Sequence, residues 1–216
     1  MHKILKEIIN NFRKTSGFSL MEMLVSIAIV ALIMAVVVLN QGDFTDSFNL
    51  STNINDLELQ IRQEQVFGIS VKEFENEFSS AYGVSLSTFS EEEKLFYIVF
   101  ADRTISGSKN GIYDSGSSCV VGGSSECIKS NPLTRGVKIN KICALNEVNP
   151  TTCSEIVGRA DITFNRPYPN AKISFFDSSG LLITVSNAVG VQIELISPQG
   201  KLKSVKVYTS GQLSIS

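Results

Sequence analysis

Glu22 is one acid inside an otherwise apolar run, Phe18 to Leu39, and it follows Gly17 by five residues. A carboxylate in such surroundings is costly unless a cation neutralises it, and acids in apolar spans mark function by default. A second set of chemically competent side chains is the four thiols Cys119, Cys127, Cys143 and Cys153. Their spacings, C-x7-C, C-x15-C and C-x9-C, match no compact zinc pattern. Two disulfides are the chemistry they support in an exported domain. All three pairings are open from sequence, with 119–127 and 143–153 closing the shortest loops. Two further groups invite a chemical reading. Glu91-Glu92-Glu93 offers paired acids for hydrolysis, and Asp102, Asn110 and Asp114 offer oxygen ligands for calcium. A triple-acid run before Lys94 is the pattern of a solvated turn, and the second set fits no calcium-loop template. Both groups are read as solvated turn residues.

What is missing narrows the chemistry further. The only histidine is His2, and there is no tryptophan. Ser–His or Cys–His catalysis, or a histidine-bearing metal site, would have to use that terminal residue. No nucleophile–base pair and no phosphate-cradling loop is visible. The expectation is a non-enzyme with no catalytic residue, cofactor or metal. Net charge is −2, from 19 basic and 21 acidic residues without long runs of one sign, so nucleic acid is not an obligate partner.

The elements that must position these residues begin with the apolar run. As a helix, its 22 residues span about 33 Å, enough to cross a hydrocarbon core of ~30 Å. Thirteen are Leu, Ile, Val or Phe, and together they favour insertion by about 4 to 8 kcal/mol. One acid costs at most about 2.5 to 3.5 kcal/mol, so insertion wins. Lys3, Lys6, Arg13 and Lys14 precede the run against a single Glu7, whereas Asp43 and Asp46 follow it. This asymmetry places the N-terminus in the cytoplasm and the large domain outside. A cleaved secretory signal would have a shorter apolar region and a small-x-small site near its end. Val36-Val37-Val38-Leu39-Asn40 offers none.

Ser16-Gly17-Phe18-Ser19-Leu20-Met21-Glu22-Met23-Leu24, behind a short basic leader, resembles the N-terminal signature of type IV prepilins. That pattern is glycine, an apolar residue that is usually Phe, three further residues, glutamate, and an apolar helix. The resemblance implies that a prepilin peptidase cuts the Gly17–Phe18 bond on the cytoplasmic side and methylates the new amine of Phe18. It implies further partners: other pilin or pseudopilin subunits, an inner-membrane assembly platform, and the lipid bilayer before assembly. It also gives Glu22 its cation, the Phe18 amine of an adjacent subunit, which fixes the axial stagger of packed helices. Residues 1–17 are then a leader, residues 18–40 a transmembrane and filament-core helix, and residues 41–216 an exported domain.

Asn40-Gln41-Gly42-Asp43 is a point where the helix is expected to loosen. Phe44, Phe48, Ile54, Leu57 and Ile61 then recur at helical spacing, predicting an amphipathic helix to about Gly68 whose stripe packs on a sheet. Phe74, Phe78 and Tyr82 predict a short second helix over 72–82, capped at Gly83. From Val84 the character is β. Strands are predicted at 95–100, 160–165, 171–176, 181–186, 191–196, 201–208 and 212–215, separated by turn signals such as Asp177-Ser-Ser-Gly180 and Ser197-Pro-Gln-Gly200. The stretch from Cys119 to Cys153 reads as a long polar loop. The fold class is α+β, a long N-terminal helix on an antiparallel β-rich head. The layout is similar to pilin-like heads, and its C-terminal strands resemble those of minor pseudopilins of type II secretion. A structural filament subunit is therefore the first expectation. A membrane-anchored extracytoplasmic binding or adhesin protein, not assembled into a filament, is the second.

Overall fold

A computed structural model of the protein describes residues 17–70, 72–74, 81–103, 109–116, 119–122, 125–148 and 153–216. The basic leader, and residues 75–80 of the expected second helix, lie outside the described residues. The chain divides into two compact units, Met1–Phe44 and Thr45–Ser216.

Helix α1 spans Leu20–Ile69. It begins where the carbonyl of Ser19 accepts the amides of Glu22 and Met23, at 3.0 and 3.1 Å. The expected loosening at residues 40–43 does not occur. Polar residues sustain a helix, and a lone glycine costs only about 1 kcal/mol. In the first unit the helix is apolar on every side and exposed throughout its described side chains, from Leu20 to Val38.

In the second unit the helix is two-sided. Leu50, Ile54, Leu57 and Ile61 are buried at 0–1% exposure, each worth about 1.5 to 3 kcal/mol of burial. Phe44 and Phe48, expected in this stripe, are instead 73% and 62% exposed. At about 100° per residue, Phe48 lies roughly half a turn from Leu57, so the two cannot share a face. The true stripe starts at Leu50. Asn53 ties the buried face to the sheets, its Oδ1 accepting the Thr134 amide at 2.8 Å. Near the helix end, Gln65 Nε2 donates to the carbonyls of Pro169 and Gly211 at 2.9 and 3.0 Å.

Among the described residues eleven strands follow: β1 (Ala81–Ser87), β2 (Phe96–Asp102), β3 (Cys127–Pro132), β4 (Lys138–Asn146), β5 (Glu155–Val157), β6 (Arg159–Phe164), β7 (Ala171–Phe176), β8 (Leu182–Ile183), β9 (Ala188–Ile196), β10 (Leu202–Tyr208) and β11 (Leu213–Ile215). They form a six-stranded sheet in the order β3-β2-β1-β6-β7-β8 and a five-stranded sheet in the order β11-β10-β9-β4-β5. Every pairing is antiparallel. Turn chemistry sets the hairpins: Gly200 takes φ +82° and donates its amide to the Ser197 carbonyl at 2.9 Å, a conformation that glycine adopts without strain.

Three corrections to the sequence reading have physical causes. Tyr82 and Gly83 belong to β1, not to a helix end. Gly83 lies so close to β6 that a Cβ there would meet the Ile162 carbonyl oxygen at 2.3 Å. The strand predicted at 181–186 shrinks to Leu182–Ile183, whose leucine is 59% exposed. The cysteine region is not a loop. It contributes β3 and β4, and β4 is among the longest strands of the head.

One core joins the helix stripe to both sheets, through Val84, Val99 and Ile162 on one side and Ile142, Ile193 and Val205 on the other. Alternation along β2 sends Tyr97 and Val99 into this core and Ile98 and Phe100 to the opposite face. There they form a second cluster with Tyr113 and Cys127. Both faces of β2 are covered, which is why Phe96 to Ala101 is an unbroken apolar run.

Candidate functional site

The second cluster is roofed by the chain between β2 and β3, and buried carboxylates fasten that roof. Asp102, at the end of β2, accepts the Gly111 amide at 2.6 Å. Asp161, on β6, accepts the Tyr113 amide at 3.0 Å. Glu126, just before β3, accepts the Asp114 amide at 2.7 Å and the Arg103 amide at 3.3 Å. Exposures of these three acids are 2%, 0% and 0%. A backbone segment laid over a sheet face has no ladder to satisfy its N–H groups, and here side-chain oxygens take that role. Arg159 balances Asp161, donating Nε to Oδ1 at 2.9 Å and Nη2 to the Tyr113 carbonyl at 2.6 Å. Burial raises the Asp102 and Asp161 carboxyls above the usual carboxylate range, against the hydrogen bonds that lower them.

Two disulfides staple the same part of the chain. Cys119 pairs with Cys127 and Cys143 with Cys153. The first closes the tip of the roof, where Val120 and Val121 are 66% and 64% exposed. The second joins β4 to the chain entering β5.

Asp102 is thus a buried peg rather than a solvated turn residue. Asn110 and Asp114 do lie in a turn, where Asn110 Nδ2 donates to Asp114 Oδ2 at 3.0 Å. Among the described residues no group of acids, cysteines or histidines is arranged to hold a metal. The Glu91 carboxylate pairs with Lys94 at 2.6 Å and Lys138 at 3.1 Å, and these hydrogen bonds lower its pKa.

A separate buried acid sits near the helix end. Glu64 is 1% exposed, and its Oε1 accepts the Gln60 amide nitrogen at 2.6 Å. Burial pushes its pKa up to about 7, while the Gln60 hydrogen bond and the charges of Lys72 and Lys129 pull it down. Lys72 itself lies over the ring of Phe67, 3.2 Å from its centroid.

The chain's other chemical locus is its N-terminal end. Gly17, Phe18 and Ser19 precede α1 and are exposed, Phe18 by 76%. A Cβ on Gly17 would meet nothing within 4 Å, so the protein's own packing does not demand glycine there. Glu22 occupies the first helical turn, where the positive end of the helix dipole favours an anion. Ser26 Oγ donates to the Glu22 carbonyl at 2.7 Å. The helix that follows is long and apolar enough to cross a membrane, with a mean hydropathy of 2.8 over its most apolar window and none of that window buried.

A family model described as the prokaryotic N-terminal methylation motif matches residues 12–38. The chain carries the prepilin-type signature. No curated protein and no solved structure matches the chain. The prepilin-type match spans the Gly17–Phe18 bond, Glu22 and the apolar helix together, and it supports a type IV pilin-like or pseudopilin protein. With one such apolar helix among the described residues, the chain fits a single-pass, membrane-anchored pilin.

Gly17, Phe18 and Glu22 lie within one short segment, remote in sequence from the cysteines and the carboxylate pegs. Sequence reading missed Glu126, Arg159 and Asp161. In Ala160-Asp161-Ile162-Thr163-Phe164 the apolar residues alternate with polar ones, which is the pattern of a strand with one wet face. Only the roof over that face, built from residues distant in sequence, turns Asp161 into a buried group.

Proposed function

We propose that the protein is a structural subunit, a minor pilin or pseudopilin, of a type IV pilus or type II secretion-like filament. It is made with its N-terminus in the cytoplasm and its β-rich head outside. Prepilin peptidase cuts after Gly17 and methylates Phe18. The helix then leaves the bilayer for a core of packed helices, in contact with an inner-membrane assembly platform. Replacing lipid by helices requires close approach, which Ser26, Ala28, Ala31 and Ala35 permit. In that core the Phe18 ammonium and the Glu22 carboxylate of a neighbouring subunit neutralise each other.

The observation that carries this reading is the methylation motif set directly on an apolar helix with no internal cover. A second apolar stripe agrees with it. Phe48, Leu59 and Val66 are 62%, 62% and 57% exposed and fall within about 20° of one another around the helix. They give the helix of the second unit an outward apolar face of its own. The exposed, stapled tip at Val120-Val121 favours the second function, a membrane-anchored extracytoplasmic binding or adhesin protein. On that reading, exchange of residues 120–122 abolishes binding and leaves processing and assembly intact.

Mass spectrometry of the N-terminus, with the full chain co-expressed with a prepilin peptidase, tests the first reading. The expected mature chain begins with methylated Phe18. Gly17→Ala blocks the cut, although the substitution fits the structure. Glu22→Leu spares the cut and impairs incorporation. A leader still attached in mature material from the native cell refutes the assignment, and normal incorporation of Glu22→Leu refutes the charge pair.

A further inference from the structure

The roof over the six-stranded sheet leaves a slot of about 130 Å³ between itself and the strands. Ser85, Ile98 and Arg159 line it from the sheet, Tyr113 from the roof, and Phe89 and Glu93 from the turn between β1 and β2. The volume approaches that of the ~150 Å³ apolar cavity known to admit benzene. Most of the wall is aromatic or aliphatic, with a few polar groups converging on it, the usual composition of a small-molecule site.

Charge decides what fits. Arg159 is already committed, with two nitrogens on Asp161, one of them also on the Tyr113 carbonyl, and its guanidinium 4.5 Å from the Phe176 ring centroid. With Asp161 it forms a balanced pair and part of the wall. Glu93 is different. Its Oε2 accepts from Ser87 Oγ, which leaves Oε1 open among the described residues. Neighbouring Lys94 has its ammonium on Glu91. The slot therefore has apolar and aromatic surface from Phe89, Phe96, Ile98 and Tyr113, with the Arg159–Asp161 pair neutral in sum and, among the described residues, one carboxylate oxygen of Glu93 left to accept a proton donor.

We propose that this slot binds a single-ring apolar ligand carrying an amine. The ring lies among Phe89, Ile98 and Tyr113, and the ammonium donates to the Glu93 carboxylate. Aromatic walls favour the cation as well as the ring, and a charge-assisted hydrogen bond sets its orientation. This activity is independent of filament assembly.

Methyl NMR of the full-length chain in detergent micelles, labelled at isoleucine, tests it with benzylamine as the probe. The Ile98 methyl shifts saturably, while Ile54 in the main core and Ile156 on the surface do not. Benzyl alcohol binds about tenfold more weakly, having lost one charged contact, and benzoate more weakly still. Glu93→Gln brings benzylamine down to the level of benzyl alcohol with the Ile54 signal unchanged. Phe89→Ala weakens both probes by the same factor. Equal binding of benzoate and benzylamine overturns the proposal, as does a benzylamine response at Ile156 equal to that at Ile98.

Discussion

The backbone amide of Tyr113 reaches the carboxylate of Asp161 at 3.0 Å, across 48 residues of sequence. That bond fastens the roof to an interior strand of the six-stranded sheet. It also sets Tyr113 against Phe100, with ring centroids 5.4 Å apart.

Removing the acid at this junction is costly. Asp161→Ala strands Arg159 and leaves the Tyr113 amide without its acceptor. Breaking a buried pair in this way costs about 3 to 5 kcal/mol. Asp161→Asn keeps an oxygen for the amide and costs less. Urea unfolding of the detergent-solubilised chain, followed by circular dichroism, reads both values. Coincident curves for Asp161→Ala and the parent chain would mean that the carboxylate is not a peg.

Glu64 makes stability depend on pH. Its folded pKa, about 7, lies above the ordinary 4.5, so the native state holds a proton that the unfolded chain has released. The stabilisation is full below pH 4.5 and is lost as the pH rises through about 7. Its size over that window is about 3 kcal/mol. The buried acids Asp102 and Asp161 act in the same direction, so the comparison that isolates Glu64 is with Glu64→Gln. The variant should lose less stability between pH 5 and pH 8 than the parent chain. Equal losses would contradict the assignment.

The two stripes of α1 separate folding from assembly. Ile54→Ala removes a fully buried side chain and costs about 2 to 5 kcal/mol. Leu59→Glu and Val66→Glu change exposed positions and shift stability by less than about 0.5 kcal/mol. On the filament reading, the latter pair lowers incorporation while leaving processing at Gly17 intact. Full incorporation of the Leu59→Glu, Val66→Glu double variant would remove the outward stripe from the interface.

Cys143 and Cys153 are 10 residues apart, and their cross-link lowers the entropy of the unfolded chain. Cys143→Ser with Cys153→Ser should cost about 2 to 3 kcal/mol on the loop-entropy account. Cys119→Ser with Cys127→Ser should cost a similar amount and in addition perturb Ile98 and Tyr113, which share a cluster with Cys127. Differential scanning calorimetry gives the first quantity and methyl NMR the second. An Ile98 signal unchanged by loss of the 119–127 bond would separate the staple from the cluster.

How much of this was legible in the sequence depended on how local the cause was. The N-terminal segment could be read because glycine, acid and apolar run lie within one short stretch. The hairpins of the last third could be read because turn residues and alternation are local signals, as at Ala171–Phe176, where prediction and structure coincide. The strands of the cysteine region could not. Lys138–Asn146 carries Lys138, Lys141 and Asn146 at positions that pair with β9, and only tertiary pairing makes a strand of it. Phe44 and Phe48 misled because helical spacing reports that a stripe exists without saying what covers it. The carboxylate pegs left no local trace at all, since a buried Asp and an exposed one have the same sequence pattern until a distant segment closes over them.

Because Ile98 and Phe100 are covered by the roof and Tyr97 and Val99 by the main core, the segment over the outer face is a third layer of the head. Its underside is constrained by complementarity to that sheet, whereas the span from Val120 to Gly122 is held at both ends by a covalent clasp. Variation can therefore accumulate at the tip without disturbing the layer beneath. An insertion there should be tolerated where the same insertion beside Gly111 or Tyr113 would not, which makes the clasp a natural place for divergence among relatives and for grafting foreign epitopes.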